Sequence, residues 1–213
     1  MKPHVIHLLV LLTFAISDHA QAAPQQFREG EHYHLITPAP AHLRGAKIEV
    51  IEFLWYGCQT CFVIQPNLER WASDRKDAIE YQRIPAVTNE GMMILARAFY
   101  TAEVLDIIAK IHQPLFEAIH KHRRRLDTEQ ALAGFFEEQG VSAKVFLQAF
   151  RGSDVAGKIR KARTLGSRYG IAGTPTITVN GKYRVDSSMV TSPEELIAVI
   201  DYLVNKEAAA KNI

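Results

Sequence analysis

Cysteine is scarce in this chain: there are two in 213 residues, Cys58 and Cys61, with Gln59 and Thr60 between them. A disulfide framework is therefore excluded. None is needed, because a chain of this length, as one domain or one domain carrying an insertion, buries a sufficient core without covalent staples. Excess charge of one sign is also missing, and a net charge of +2 argues against a polyanion such as nucleic acid as partner. Beyond the N-terminal segment no uninterrupted apolar run approaches the roughly 20 residues that a spanning helix requires. Internal repeats and low-complexity linkers are absent. The hydrophobic share of 47% and charged share of 23% are those of a soluble globular protein.

The N-terminus carries more information. Lys2 precedes an apolar run from Val5 to Ile16, interrupted by His7, and Ala20-Gln21-Ala22 offers small residues at the spacing of a signal-peptidase site. Residues 1–22 are expected to be a secretory signal, with Ala23 the first mature residue. The run is too short for a membrane anchor, and no cysteine near the cleavage site could accept a lipid. The mature chain is expected in an oxidising compartment, where thiols meet disulfide chemistry.

Lys47 to Trp55 is rich in branched and aromatic residues and reads as a strand, while Phe62 to Arg75 carries apolar residues at helical spacing. The cysteine pair therefore sits at a strand-to-helix junction. A second strand is expected at Ile79 to Ala86. A hairpin follows much later: Thr176 to Val179, a two-residue Asn180-Gly181 turn, then Lys182 to Val185. Between them, over 87–163, no strand pattern occurs, and helix starts are signalled at Asp127-Thr128-Glu129-Gln130 and at Ser142. A last helix opens at Ser192-Pro193-Glu194-Glu195, with Ser192 as cap and Glu195 closing a capping box, and is expected to end near Glu207. The whole reads as an α/β sheet domain (23–86 and 164–213) interrupted by an all-helical insertion (87–163).

A Cys-x-x-Cys pair has three uses. As a clamp it closes so short a loop that it removes only about 2 kcal/mol of chain entropy, against about 4.7 for a long loop. As a zinc site it lacks a third cysteine, and the spaced candidates, His32 and His34, read better as exposed strand residues, so no metal is expected. As a redox pair it fits well. Positions i and i+3 share a helix face, so Cys58 can stand at the helix mouth with Cys61 one turn inside. Unpaired N–H groups and the helix dipole then stabilise a Cys58 thiolate, giving Cys58 the nucleophile's role and Cys61 the resolving thiol's.

Glu-Phe-Leu-Trp-Tyr-Gly-Cys before the pair, the Cys-x-x-Cys opening a helix, Pro66, the long helical block and Gly173-Thr174-Pro175 just ahead of Asn-Gly-Lys-Tyr together carry a resemblance. The chain resembles the periplasmic DsbA-like thiol-disulfide oxidoreductases over essentially its whole mature length. That resemblance implies a thioredoxin-like fold with an inserted helical domain, no cofactor, and oxidation of cysteine pairs in secreted proteins through a Cys58–Cys61 disulfide.

It also implies several site residues. Pro175, by itself readable as a strand-initial proline, is expected cis and against the cysteines, and Thr174 is expected to present its backbone to an extended substrate peptide, with Gly173 in the same loop. Glu52 falls on the apolar alternation Ile48, Val50, Glu52, Leu54, where a buried carboxylate has a raised pKa; the alternation alone leaves a half-exposed strand residue possible. The resemblance implies that Glu52 exchanges a proton with Cys61.

One departure is plain: the family commonly carries Pro-His between its cysteines, whereas Gln59-Thr60 supplies neither ring nor charge, although the Thr60 hydroxyl could donate toward Cys58. A Cys58 pKa above the roughly 3.5 of DsbA follows, with a potential between its roughly −120 mV and the roughly −270 mV of thioredoxin. A reductase or isomerase of the same fold is the alternative, and a peptide-binding module with an inert disulfide is a more distant one. A membrane re-oxidant of the DsbB type and a monomeric state are expected by analogy. Two further features stay in the background: His120 to Arg125 is expected to close a helix facing water, and the apolar residues of Met92 to Ile111 are expected to be mostly core.

Overall fold

The computed structural model describes residues 27–38 and 47–211. The expected leader, residues 1–22, lies outside the described residues. Among the described residues five strands form one sheet: β1 (His34–Leu35), β2 (Ile48–Leu54), β3 (Ile79–Pro85), β4 (Thr176–Val179) and β5 (Tyr183–Asp186), in the spatial order β1-β5-β4-β2-β3. β2 runs parallel to β3 and antiparallel to β4, with Val50 opposite Val179 and Glu52 opposite Ile177. The parallel pair requires a crossover, which is α1 (Gln59–Asp74).

Five helices separate β3 from β4: α2 (Met93–Val104), α3 (Ile108–His120), α4 (Glu129–Glu138), α5 (Ala143–Phe150) and α6 (Ser153–Arg168). The expected helical insertion is present, and its last helix passes the anticipated limit at 163. The end of that helix and the turn after it supply Leu165, Tyr169 and Ile171 to cover one sheet face, against Ile51 and Phe53. On the opposite face, α1 packs beside α7 (Pro193–Lys211) over Ile48, Val50, Ile177 and Val179. A third core fills the helical block around Phe116, Phe136 and Phe146, and it draws in Leu54, Tyr56 and Cys61 from the sheet side. The seam between sheet domain and insertion therefore passes through the cysteine pair. Phe99 and Tyr100 are buried in this core, and Met92 is buried as well.

Four local expectations change. Asn180 and Gly181 both have positive φ, as the Asn-Gly turn demands, but the strands pair Val179 with Tyr183, one residue beyond a two-residue loop. The reason is Lys182: its N–H closes the turn onto Val179 O while its carbonyl accepts from Ile36 N. Ser192 caps α7 by accepting from Glu195 N at 3.1 Å, yet the Glu195 carboxylate reaches back to Thr191 N and Oγ1 instead of to Ser192. That helix also continues to Lys211, where Lys211 Nζ donates to Lys47 O at 3.0 Å. His32 lies in a turn and accepts from Arg28 N at 3.2 Å, so it shares no strand with His34.

Candidate active site

β2 ends at Leu54, and the chain turns through Trp55-Tyr56-Gly57 so that Cys58 becomes the N-cap of α1. Its backbone is extended (φ −88°, ψ 116°), and its sulfur accepts from Cys61 N at 3.3 Å, occupying the place that a serine or aspartate oxygen usually takes. Gly57 is required here: a β-carbon at that position would come within 2.3 Å of the Trp55 indole. Across the mouth stands the loop of Gly173, Thr174 and Pro175. The Thr174–Pro175 bond is cis, and the Cys58 thiol donates to Thr174 O at 3.2 Å. Thr176 Oγ1 lies 3.0 Å from Gly173 O, which ties the loop to the start of β4.

The two thiols, both unbonded, differ sharply in environment. Cys58 is half-buried and Cys61 fully buried. Hydrogen bonding from the Cys61 thiol, opposed by partial desolvation and helped by Thr174 and the N–H groups of Cys61 and Thr60, brings the Cys58 pKa down to about 6. Thr60 thus contributes through its backbone N–H. Burial above all pushes the Cys61 thiol far up, with the neighbouring Cys58 and Glu52 charges adding to it. One sulfur is a thiolate at neutral pH, and the other holds its proton.

Beneath Cys61 runs a polar chain. Glu52, 0% exposed, accepts from Gln65 Nε2 at 2.6 Å on one oxygen and from the Tyr81 hydroxyl at 2.5 Å on the other. Arg83 Nε stands 3.7 Å from the second oxygen, and its Nη2 pairs with Glu69 at 2.6 Å. Burial raises the Glu52 pKa, and Tyr81, Arg83 and Gln65 only partly offset it. Gln65 continues the chain, since its Oε1 lies 3.0 Å from His112 Nε2, and His112 Nδ1 lies 2.9 Å from the Tyr56 hydroxyl. The directions are fixed by chemistry. Gln65 donates to Glu52 through its amide nitrogen, so its oxygen must accept from His112 Nε2–H, which leaves Nδ1 to accept from Tyr56. Burial, with a contribution from the Arg83 charge, holds His112 neutral, its pKa down to about 3.

The resemblance implies one neighbourhood for Cys58, Cys61, Glu52, Thr174 and Pro175, and the structure brings them together. Gln59 and Thr60 are exposed at the rim. Sequence reasoning missed Gln65, Tyr81, Arg83 and His112, and it set His120 aside as part of a solvated basic run. In fact His120 is half-buried, the last residue of α3, and stacks on Phe62 of α1 with ring centroids 5.1 Å apart. Its Nε2 lies 2.8 Å from Tyr56 O and its Nδ1 3.0 Å from Gln59 Oε1. The rest of the basic run does face water, where Lys121 pairs with Glu117, Arg124 with Glu138 and Arg125 with Asp127.

Comparison with known proteins agrees with this geometry. Residues 59–198 match the model of the DSBA-like thioredoxin domain. The thiol:disulfide interchange protein DsbA of Azotobacter vinelandii is 34% identical over 200 residues, covering 93% of both chains. Its counterpart from Pseudomonas syringae pv. tomato is 36% identical over 191 residues, covering 90% of this chain and 89% of the other. Among solved structures, Pseudomonas aeruginosa DsbA superposes with a TM-score of 0.82 at 32% identity, covering 88% of this chain and 97% of that one. The oxidoreductase NmDsbA1 of Neisseria meningitidis gives 0.74 at 25% identity, with 87% and 96% covered. With a helix-capping Cys-x-x-Cys, a helical insertion between β3 and β4, and these likenesses over most of its length, the chain belongs to the DsbA-like family of thioredoxin-fold thiol-disulfide oxidoreductases.

Proposed function

We propose that this oxidoreductase oxidises cysteine pairs in secreted proteins, with Cys58 as the sulfur that meets substrate. A substrate thiolate attacks Cys58 of the Cys58–Cys61 disulfide, forming a mixed disulfide and expelling Cys61 as a thiolate. Cys61 cannot remain charged where it is buried, and the Glu52 carboxyl, its own pKa raised, is the proton donor beneath it. The second substrate thiolate then attacks the substrate sulfur of the mixed disulfide, and Cys58 leaves as a thiolate. Two electrons pass to the enzyme, the substrate gains one disulfide, Glu52 regains its proton from water, and the enzyme ends with Cys58 ionised and Cys61 protonated.

The observation that carries this reading is the asymmetry of the two thiols, one capping α1 with a pKa of about 6 and the other wholly buried. A stabilised thiolate makes the reduced form favourable, which is what makes a disulfide an oxidant. Thr174 supports the substrate end: its backbone stands beside Cys58 at the end of β4, where an extended peptide can lie against main chain whatever its side chains. The chain is expected to work in the periplasm, behind the leader read at residues 1–22, as a monomer re-oxidised by a quinone-linked membrane protein of the DsbB type. No described helix is long and apolar enough to cross a membrane.

Incubating the Cys61→Ala variant with reduced secreted proteins tests the chemistry. Mixed disulfides through Cys58 are expected, and their absence would favour a peptide-binding module with an inert disulfide. A reductase or isomerase draws support from one observation: the Cys58 pKa of about 6 stands well above the roughly 3.5 of DsbA. Faster reduction of insulin than oxidation of a dithiol peptide would establish that direction.

A further inference from the structure

The dipeptide between the cysteines carries no charge, yet a titratable ring is held against it from another domain. His120 closes α3 and lies over the mouth of α1, between Tyr56 O at 2.8 Å and Gln59 Oε1 at 3.0 Å, residues on either side of Cys58 in the chain. Its ring is nearly parallel to Phe62, at 11°. A carbonyl oxygen only accepts, so His120 Nε2 must donate to Tyr56. With Gln59 Oε1 toward Nδ1, the second nitrogen must donate as well, and a ring donating from both nitrogens is an imidazolium. The α3 carbonyls at that helix end favour the same cation. Turning the exposed Gln59 amide over presents its Nε2, and the neutral ring then accepts at Nδ1. The two-point hold therefore survives either charge state, and only the amide has to turn.

We infer that His120, delivered by the helical insertion, is the positioning residue that balances the Cys58 charge, protonated while Cys58 is a thiolate and free to become neutral when the disulfide re-forms. The inference rests on the proposed role of Cys58 as the substrate-facing sulfur. The protons balance. Two substrate thiols give up two protons and two electrons; the electrons reduce Cys58–Cys61, one proton stays on Cys61, and the other is taken up at His120 in the reduced protein. Re-oxidation by the acceptor that removes the electrons releases both. Other charged groups around the ring are the Glu117–Lys121 pair on α3, whose Lys121 Nζ also lies 5.9 Å from the Phe62 ring, and His122 and Arg123 on the turn beyond. The first pair cancels, and the exposed Arg123 guanidinium is the charge that opposes protonation of the ring.

The test begins with the unaltered protein: the His120 ring is titrated by NMR in its reduced and oxidised forms. A midpoint higher in the reduced form by about one pH unit, a tenfold change in proton affinity, is expected. Equal midpoints in the two forms overturn the inference. His120→Gln, which keeps a donor for Tyr56 O, should raise the Cys58 pKa and move the glutathione equilibrium about tenfold toward a less oxidising protein, about 30 mV. An unchanged equilibrium would overturn it too. Should that variant fold poorly, Gln59→Leu leaves the ring on Tyr56 and should narrow the redox-dependent difference in the His120 midpoint; a difference as wide as before counts against the inference. Trapping by the Cys61→Ala variant separates the two levels: capture with an insensitive His120 removes this inference alone, and failure to capture removes the reading beneath it.

Discussion

The mouth of α1 and the polar chain one turn below it are built from the same materials and behave oppositely. Each joins a residue of the β2–α1 segment to a histidine of α3: Gln59 and Tyr56 O meet His120 at the mouth, Gln65 and the Tyr56 hydroxyl meet His112 below. At the mouth Gln59 is exposed and its amide can turn, and Cys58 beside it has a pKa of about 6. Below, every group is enclosed and each hydrogen bond has one allowed direction, so His112 stays neutral, its pKa down to about 3. Enclosure, more than residue type, separates a thiol that ionises near neutral pH from a histidine held neutral. The sulfurs divide along the same line, Cys58 with the mouth and Cys61 with the locked region.

Cutting that division between the sulfurs should have the largest effect: Cys61→Ala is expected to abolish turnover while mixed disulfides accumulate on Cys58, read on non-reducing gels. His112→Leu attacks the locked region, leaving the Tyr56 hydroxyl and Gln65 Oε1 without partners. At about 1–3 kcal/mol for each of the two orphaned groups, a loss on the order of 2–6 kcal/mol is expected in denaturant unfolding, with the Cys58 pKa left near 6. A large movement of that pKa would show that the two regions are coupled.

Glu52→Gln removes the proton donor beneath Cys61 and should slow turnover by on the order of 10²-fold, measured with a dithiol peptide. It should also change the response of stability to pH. Burial raises the folded pKa of Glu52, so between its unfolded and folded values the native state binds the extra proton and stability falls as pH rises. The Gln variant should lose that fall. Cys58 sets a pH dependence of the opposite sign. Its folded pKa of about 6 lies below the unfolded value, so it contributes stability to the reduced form that is complete above the unfolded pKa and is lost as pH falls through about 6. Thermal unfolding should show the reduced protein gaining on the oxidised one from pH 6 to pH 9.

Much of this arrangement was legible in the chain. The apolar strand running into Cys-x-x-Cys fixes a strand-to-helix junction, Asn180-Gly181 fixes a turn, and the strand-free stretch after β3 announces an insertion. Glu52 could be suspected because period-two alternation places it among Ile48, Val50 and Leu54, all buried. His112 left a fainter signal, a histidine among Ile111, Leu115 and Phe116 on one buried stripe of α3. His120 left none that local pattern can read. It ends a helix beside a run of cations, as a solvated residue would, and its partners are 61 and 64 positions away. Sequence periodicity reports which face is buried, whereas a contact across the seam between two domains depends on how they dock. The longer α7 was hidden for a related reason, since a tail rich in alanine looks frayed until Lys211 Nζ is seen donating to Lys47 O, 164 positions away.

The most direct test of the central claim, that thiol asymmetry makes Cys58–Cys61 an oxidising reagent, is to equilibrate the purified protein with glutathione buffers and measure its reduction potential. A thiolate with a pKa of about 6 predicts a value between the roughly −120 mV of DsbA and the roughly −270 mV of thioredoxin. A potential at or below that of thioredoxin would contradict the oxidase, and one at or above that of DsbA would contradict the account of Cys58.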